Sequence, residues 1–148
     1  MMEKEKIKQT LIANQEQIIS DIKERIKANF ELVDLDENDT LDPEDYSHQN
    51  ESSEIGQLLT SQLEKSKKEL AKIISLDFSK KTKIEVGAIV QTNHFSFVIG
   101  VSTLPFQIEN KNFIGISTDA PIYSATIRKK ENDTFTYSNN SYHIVSIK

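Results

Sequence analysis

Apolar residues in the first part of the chain recur at the spacing of a helix that buries one stripe. The stripe comprises Ile12, Ile19, Ile26 and Val33, with Gln15, Ile22 and Asn29 at the companion positions and Leu11, Ile18, Phe30 and Leu32 widening it. Neither glycine nor proline occurs between about Glu3 and Val33. Because a seven-residue repeat keeps these positions on one face, the pattern predicts a single amphipathic helix about 45 Å long.

A second helix is predicted to run to about Ser75. Its stripe comprises Leu59, Leu63, Leu70, Ile73 and Ile74, and Leu58 widens it. Ser66 and Lys67 occupy the positions where the apolar spacing is interrupted. The helix start is indicated by Asp42, a candidate N-cap, which precedes Pro43 at the first helical position. Two such helices joined by a short connection predict an antiparallel coiled-coil hairpin over residues 1–76, with its tip at 34–45.

After a basic linker, residues 77–83, the second half of the chain has a residue pattern that is typical of β-strands. Branched and aromatic residues predict strands at 84–90, 95–101, 106–108, 113–117, 135–137 and 142–147, and a short helix from Ala120 to about Arg128. Residues 84–148 are therefore expected to form a small β-rich domain. The predicted fold class is α+β.

The distribution of charge is more informative than the net charge of −5. Between Ala28 and Glu64 there are eleven acidic residues and no lysine or arginine, so the remaining residues carry +6. Net acidity argues against general DNA binding, and the charge separation favours docking of the negative segment on a positively charged or metal-containing partner. The absence of cysteine excludes disulfides and thiolate metal sites. Without a visible signal peptide or a long apolar run, a cytoplasmic protein away from membranes is expected.

Seven carboxylates lie within the twelve positions from Asp34 to Asp45. Like charges repel, so such crowding indicates a bound cation, a basic partner or a solvated turn. The candidate metal ligands are Asp34, Asp36, Glu37 and Asp39, because acids are disfavoured at the end of a helix and their presence there calls for a reason. The later acids, from Asp42 to Asp45, fit the start of the second helix.

Several segments resemble the Gre family of bacterial transcript-cleavage factors. Residues 120–129, Ala-Pro-Ile-Tyr-Ser-Ala-Thr-Ile-Arg-Lys, are similar to the family segment Ser-Pro-Ile-x-x-Ala-x-x-Gly-Lys. Residues 34–38, Asp-Leu-Asp-Glu-Asn, are similar to the family tip Asp-Leu-Ser-Glu-Asn, and residues 86–90, 97–100 and 142–147 resemble family strands. Ala120 and Arg128 replace the family's serine and glycine, and Tyr46 comes later than the tip tyrosine.

The resemblance implies an FKBP-like second domain and a transcription elongation factor. In that family the hairpin enters the secondary channel of RNA polymerase, and acidic tip residues help to hold a second Mg²⁺ for cleavage of backtracked RNA. Asp34 and Glu37 would then assist catalysis at a Mg²⁺ shared with the polymerase. RNA polymerase is the implied partner and nascent RNA is reached only indirectly. The chain would be an accessory factor, not an enzyme.

The same stretch also fits a calcium-binding template. Asp34, Asp36, Asn38, Thr40 and Asp42 take positions 1, 3, 5, 7 and 9 of an EF-hand loop. Asp45 stands at position 12, where glutamate is usual, and Asp39 replaces the glycine of the sharp turn. The alternative is therefore a hairpin that binds Ca²⁺ or a protein and is unrelated to transcription.

Overall fold

The structure is a computed structural model. It describes the backbone of residues 3–36 and 43–148, and the side chains of residues 3–31 and 53–148.

Three helices and six strands make up the described chain. In order they are α1 (Glu3–Asp36), α2 (Pro43–Ser75), β1 (Ile89–Thr92), β2 (Ser96–Ile99), β3 (Phe106–Ile108), β4 (Lys111–Ile116), α3 (Pro121–Thr126), β5 (Thr134–Tyr137) and β6 (Asn140–Ile147). A helical N-terminal region is thus followed by a mixed sheet, which confirms the α+β class. No helix in the described part of the chain is long and apolar enough to cross a membrane.

The chain divides into two compact units. One contains residues 11–71, which are the greater parts of α1 and α2. The other contains residues 1–10 and 72–148, so the first turns of α1 and the last of α2 belong with the sheet. The boundaries predicted at 76 and 84 stay a prediction.

The buried stripe of each long helix follows the predicted positions closely. In α1 the side chains shielded from solvent between residues 13 and 31 are Gln15, Ile19, Ile22, Ile26 and Asn29. In α2 the shielded residues between 55 and 68 are Gly56, Leu59, Leu63 and Ser66. The stripe is narrower than predicted, since Ile18, Phe30, Leu58 and Ile74 are exposed. Each of these four residues lies one position away from a residue of the buried stripe, where a helix that packs against a single partner leaves side chains in solvent.

Two contacts within the helical unit show that α1 and α2 run antiparallel. Gln15 Nε2 donates to the carbonyl oxygen of Ser66 at 3.0 Å. Further along, a Cβ added at Gly56 would lie 3.1 Å from Nδ2 of Asn29. Residue numbers therefore rise along α1 as they fall along α2. The coiled-coil geometry itself stays a prediction.

The six strands form one mixed sheet in the order β3-β4-β2-β1-β6-β5. Neighbouring strands are antiparallel except β2 and β4, which are parallel with Phe97 opposite Ile114. All six predicted strands are present. The first was predicted to start at Ile84, which is wrong, because a turn at residues 85–88 precedes β1. In that turn Ala88 donates to the carbonyl of Glu85 at 2.9 Å, and Gly87 has a φ of 90°.

One face of the sheet forms the main core of this unit. The buried side chains include Val90, Phe97, Ile99, Ile116, Phe135, Ile144 and Ile147. α3 packs against them through Ile122, Tyr123 and Ala125. This helix was predicted, although it ends at Thr126 rather than near Arg128.

The opposite face of the sheet is also buried around its middle strands, β1, β2 and β4. Strand residues alternate between faces, so Val98 and Phe113 lie on the side away from the main core, and both are at most 1% exposed. The first turns of α1 lie at this second face, where Glu3, Lys6 and Phe113 line one small cavity. Ile7, in the same turns, is fully buried. The second face is therefore covered around β2 and β4, whereas Thr134, Thr136 and His143 on β5 and β6 are exposed.

We expect Ile144→Ala to lower the free energy of unfolding of the sheet unit by about 3 kcal/mol, because Ile144 is fully buried and its removal leaves a cavity. Val145→Ala is the matched control, since Val145 is the next residue along the strand and its own side chain is 48% exposed. Urea unfolding followed by tyrosine near-UV circular dichroism measures both. Equal losses in the two variants would contradict the assignment of the core.

We expect Gly87→Ala to destabilise the same unit by more than about 2 kcal/mol. Its φ of 90° disfavours a side chain, and an added Cβ would lie 1.9 Å from the carbonyl oxygen of Asp77. Gly56→Ala is the control in α2, where alanine favours a helix by about 1 kcal/mol and only the end of the Asn29 side chain is near. A Gly87 variant as stable as the parent would overturn this account of the turn.

Candidate functional site

The acidic stretch lies where the two long helices meet. α1 ends at Asp36 and α2 begins at Pro43, so the stretch spans the end of one helix, the connection and the start of the next. The start of α2 at Pro43 confirms the predicted position of that proline. No basic residue occupies the last turn of α1. Partial negative charge at a helix C-terminus adds to that of the acids, so this end is strongly electronegative.

The predicted site residues are placed to different extents. Asp34 and Asp36 belong to the final turns of α1, but their side chains lie outside the described residues. Glu37 and Asp39 lie wholly outside the described residues, as does the candidate N-cap Asp42. Whether the four candidate metal ligands converge therefore stays a prediction. Among the side chains that the structure does describe, no group of three or more His, Asp or Glu is placed to hold a metal ion.

The two histidines of the sheet unit have structural contacts. His94 meets the ring of Tyr142 edge-on, with 5.5 Å between ring centroids. The backbone N–H of His143 donates to Oδ1 of Asn93 at 2.8 Å. Neither contact indicates a ligand, in keeping with the lack of metal-binding spacing in the sequence.

Ionic contacts hold the first turn of α1 on the sheet. Glu3 meets Lys148 at 3.2 Å and Lys111 at 3.5 Å, and Lys6 pairs with Glu109. Partial burial acts to raise the pKa of Glu3, but the hydrogen bond from Lys148 and the charges of both lysines outweigh it and lower that pKa. The hydrogen bond from Lys6 likewise lowers the pKa of Glu109.

Lys4 is tied to the backbone rather than to a carboxylate. Its Nζ donates to the carbonyls of Ser79 at 2.8 Å and Gly87 at 3.2 Å. Burial lowers the pKa of Lys4, and the charge of Lys81 lowers it further. These two hydrogen bonds join α1 to the segment between α2 and the sheet. The linker predicted for residues 77–83 is thus anchored at Ser79.

That segment folds into a turn around Asp77. The backbone N–H of Ser79 and the Nζ of Lys81 each donate to the Asp77 carboxylate at 3.0 Å. The hydrogen bond from Ser79, then that from Lys81, holds the pKa of Asp77 well below its usual range. Asp77 is therefore ionised at neutral pH and fixes the direction in which residues 80–83 leave the turn.

Two basic runs that are distant in sequence come together in the sheet unit. Lys80, Lys81 and Lys83 follow the turn, while Arg128, Lys129 and Lys130 follow α3, and both runs line one cleft of about 890 Å³. From the sequence, the first run was predicted only to be a basic linker, and no role was predicted for the second. Nothing in the order of residues pairs them. Their clustering is a result of the fold.

Residues 120–129, the segment that resembles the Gre family, contain α3. Pro121 occupies the first helical position, and Ala120 stands at the N-cap without a side-chain hydrogen bond. Alanine has no side-chain oxygen to accept a hydrogen bond from the first amides of the helix, so α3 lacks this stabilising contact. Beside it, Ser117, Asp119 and Tyr123 help to line a cavity of about 670 Å³.

Comparison with known proteins identifies no family. No protein-family model and no curated protein matches the sequence. The crystal structure of GreA factor homolog 1 of Thermus thermophilus is 14% identical, with 93% of this chain and 94% of that chain covered and a TM-score of 0.35. A second solved structure, of the transcription factor Gfh1, is 14% identical, with 92% of each chain covered and a TM-score of 0.35. Because both scores are this low, function is argued from the residues of the chain.

We expect the sheet unit to lose stability as the pH falls below about 4.5, the ordinary pKa of a glutamate carboxyl group, because folding lowers the pKa of Glu3. A carboxyl group whose pKa is lowered by folding stabilises the fold above its unfolded pKa and loses that contribution as the pH falls through its folded pKa. Glu3→Gln should therefore flatten this acid dependence and cost at most about 1 kcal/mol at neutral pH. Urea unfolding at a series of pH values measures the slope.

Glu5→Gln is the control for Glu3, because Glu5 is exposed on the same turn and has no ion pair among the described residues. It should leave the acid dependence unchanged. A Glu3 variant with the slope of the parent protein would show that the contacts of Glu3 do not carry the effect.

Proposed function

We propose that this protein is a transcription elongation factor that binds RNA polymerase and inserts its acidic stretch, residues 34–45, into the secondary channel. The observation that carries the proposal is the position of that stretch. Seven carboxylates within twelve residues lie at the junction of two long antiparallel helices. The family resemblance of residues 34–38 and 120–129 supports the same function.

The lengths of the two long helices suit such a role. α1 has 34 residues and α2 has 33, so each helix is about 50 Å long at about 1.5 Å per residue. A pair of helices is narrow along its whole length. The burial of a single stripe on each helix fits a two-helix element that leaves its other faces in solvent. An element of this kind can carry a charged end into a channel that excludes a globular domain.

Charge gives the insertion a direction. The eleven acids and no bases between Ala28 and Glu64 make the junction of the helices the negative pole of the chain. A polymerase active centre holds Mg²⁺ and binds phosphates through basic groups. The negative end is attracted to such a site, and its carboxylates repel one another less when a cation lies among them.

Asp34 and Glu37 are the residues proposed to act at the tip, with Asp36 and Asp39 as further candidate ligands. Oxygen ligands are those that Mg²⁺ prefers, and Mg²⁺ is often held by only a few carboxylates together with phosphates of a substrate. The polymerase would supply the remaining ligands and the RNA. The protein is then an accessory factor that contacts nascent RNA indirectly, and any cleavage uses the polymerase site.

The sheet unit is proposed to be FKBP-like and to assist docking. Its segment at residues 120–129 resembles the family, with Ala120 in place of the capping serine. Tyr46 comes eight residues after Asn38, the last residue of the region that resembles the family tip. Binding to the polymerase is accordingly the first activity to test, and stimulation of RNA cleavage is the second.

We expect the protein to bind RNA polymerase with an affinity that falls as salt concentration rises. Asp34→Asn with Glu37→Gln should weaken binding about tenfold, because two charges that face the cationic site are removed while size is kept. Fluorescence anisotropy of labelled protein with core polymerase measures this. Glu44→Gln with Asp45→Asn is the control at the start of α2 and should have a smaller effect. The absence of binding at low salt would reject the proposal.

Transcript cleavage by a backtracked elongation complex tests the catalytic role separately. If Asp34 and Glu37 help to hold Mg²⁺, the double variant should lose stimulation even at concentrations that saturate the polymerase. Equal cleavage by the parent and the saturating variant would remove this role and leave competition for the channel.

The second candidate function is calcium binding, which the alternation of oxygen-bearing residues from Asp34 to Asp42 favours. The helical backbone of α1 extends through Asp36, although the first and third positions of an EF-hand belong to the loop. Calcium would therefore have to unwind the end of α1. Isothermal calorimetry with Ca²⁺ and Mg²⁺ decides, and no heat at millimolar Ca²⁺ would exclude this function.

A further inference from the structure

The cleft lined by the two basic runs concentrates positive charge in a protein that is negative overall. Its cations are Lys80, Lys81, Lys83, Arg128, Lys129 and Lys130, and Glu131 is the carboxylate beside them. The residues that line the cleft thus sum to +5, or +4 once the Asp77 carboxylate that pairs with Lys81 is included, against −5 for the whole chain. Like charges at such density repel, so an anionic partner relieves a cost that the free protein carries.

Few of these cations are neutralised within the described part of the chain. Lys81 pairs with Asp77 at 3.0 Å. The other five form no ion pair with any carboxylate that the structure describes. Glu131 is already engaged, because its Oε1 accepts a hydrogen bond from the backbone N–H of Ile147 at 3.0 Å. The charge of the cleft is therefore available to a partner.

The backbone that carries the second run is held firmly. Lys129 donates its N–H to the carbonyl of Thr126 at 2.9 Å, and the N–H of Lys130 donates to Oδ2 of Asp133 at 2.8 Å. Asn132, at a φ of 72°, donates its N–H to the carbonyl of Ile144 at 2.8 Å. These bonds fix the turn on β6. The backbone that carries these charges is thus ordered before any partner binds, which lowers the cost of association.

The lining of the cleft distinguishes between two kinds of anionic partner. Ile127 is 48% exposed among the cations, whereas no aromatic side chain lines the cleft. Single-stranded nucleic acids are usually held by aromatic rings on which bases stack, and none is present among these lining residues. An apolar side chain surrounded by lysines suits a protein segment that alternates acidic and apolar residues.

We propose that this cleft docks an acidic protein segment that carries an apolar residue, which contacts Ile127 while its carboxylates meet the surrounding lysines and arginine. This cleft is separate from the acidic stretch of residues 34–45. It is a second interaction surface, of opposite charge, on the sheet unit.

Binding of labelled probes to the full chain at low ionic strength tests the proposal. The probes are a short peptide of repeating Glu-Glu-Leu, a peptide of glutamate alone, a single-stranded RNA and a duplex DNA. We expect the leucine-containing peptide to bind most tightly. Lys83→Glu with Lys130→Glu should weaken it about tenfold or more, since attraction at two positions becomes repulsion.

Two further variants separate charge from apolar contact. Ile127→Ser should weaken the leucine-containing peptide about fivefold and leave the glutamate peptide unchanged. Lys65→Glu with Lys68→Glu, on an exposed part of α2, is the matched charge control and should change neither affinity. Asp34→Asn with Glu37→Gln should also retain peptide binding, so failure here is distinguishable from failure of the proposed polymerase function.

Three outcomes would overturn the inference. These are that no probe binds at low salt, that the charge reversals in the cleft act no more strongly than those on α2, and that RNA or DNA binds more tightly than either peptide. The last result would assign the cleft to nucleic acid. Near-UV circular dichroism of each variant shows that the sheet unit remains folded.

Discussion

The sheet unit depends on covering a sheet whose central strand, β2, is buried on both faces. All four residues of β2 are buried, so neither side of the central strand can face water. α3 has only six residues and packs on the face that contains Phe97 and Ile144. At the other face lie the first turns of α1, whose Ile7 is fully buried. Residues from the very start of the chain are thus required to complete a core built mainly from its second half.

Polar contacts then determine how those first turns sit on the sheet. Glu3, Lys4 and Lys6 reach Lys148, the carbonyls of Ser79 and Gly87, and Glu109. Exposed ion pairs contribute little stability one by one. Here the ion pairs and hydrogen bonds determine the orientation of the first turns of α1, because buried apolar surface alone does not select one orientation of a helix. Gly87, whose positive φ brings its carbonyl to Lys4, connects this arrangement to the turn before β1.

The elements of the chain were more predictable than their association. The seam of α1 from Gln15 to Asn29 and the positions of the six strands follow from spacing, because local periodicity records which side is buried. The first strand was wrongly predicted to start at Ile84 because Ile84 and Val86 alternate as strand residues do. The turn at Gly87 depends instead on contact with Asp77, which local spacing does not record. The parallel pairing of β2 with β4 and the meeting of Lys83 with Lys130 arise from tertiary structure. The candidate ligands Asp34, Asp36, Glu37 and Asp39 were identified by composition, and their convergence stays a prediction.

Opposite charges are thus collected at two places, the acidic stretch where α1 meets α2 and the cationic cleft beside α3. The central claim is that the acidic stretch works inside RNA polymerase. A photoreactive amino acid at Asn38 tests it most directly, by mapping crosslinks formed in a complex with core polymerase. The account predicts crosslinks to peptides around the catalytic Mg²⁺, suppressed when the secondary channel is blocked. Crosslinks confined to the outer surface of a polymerase that the protein still binds would contradict it.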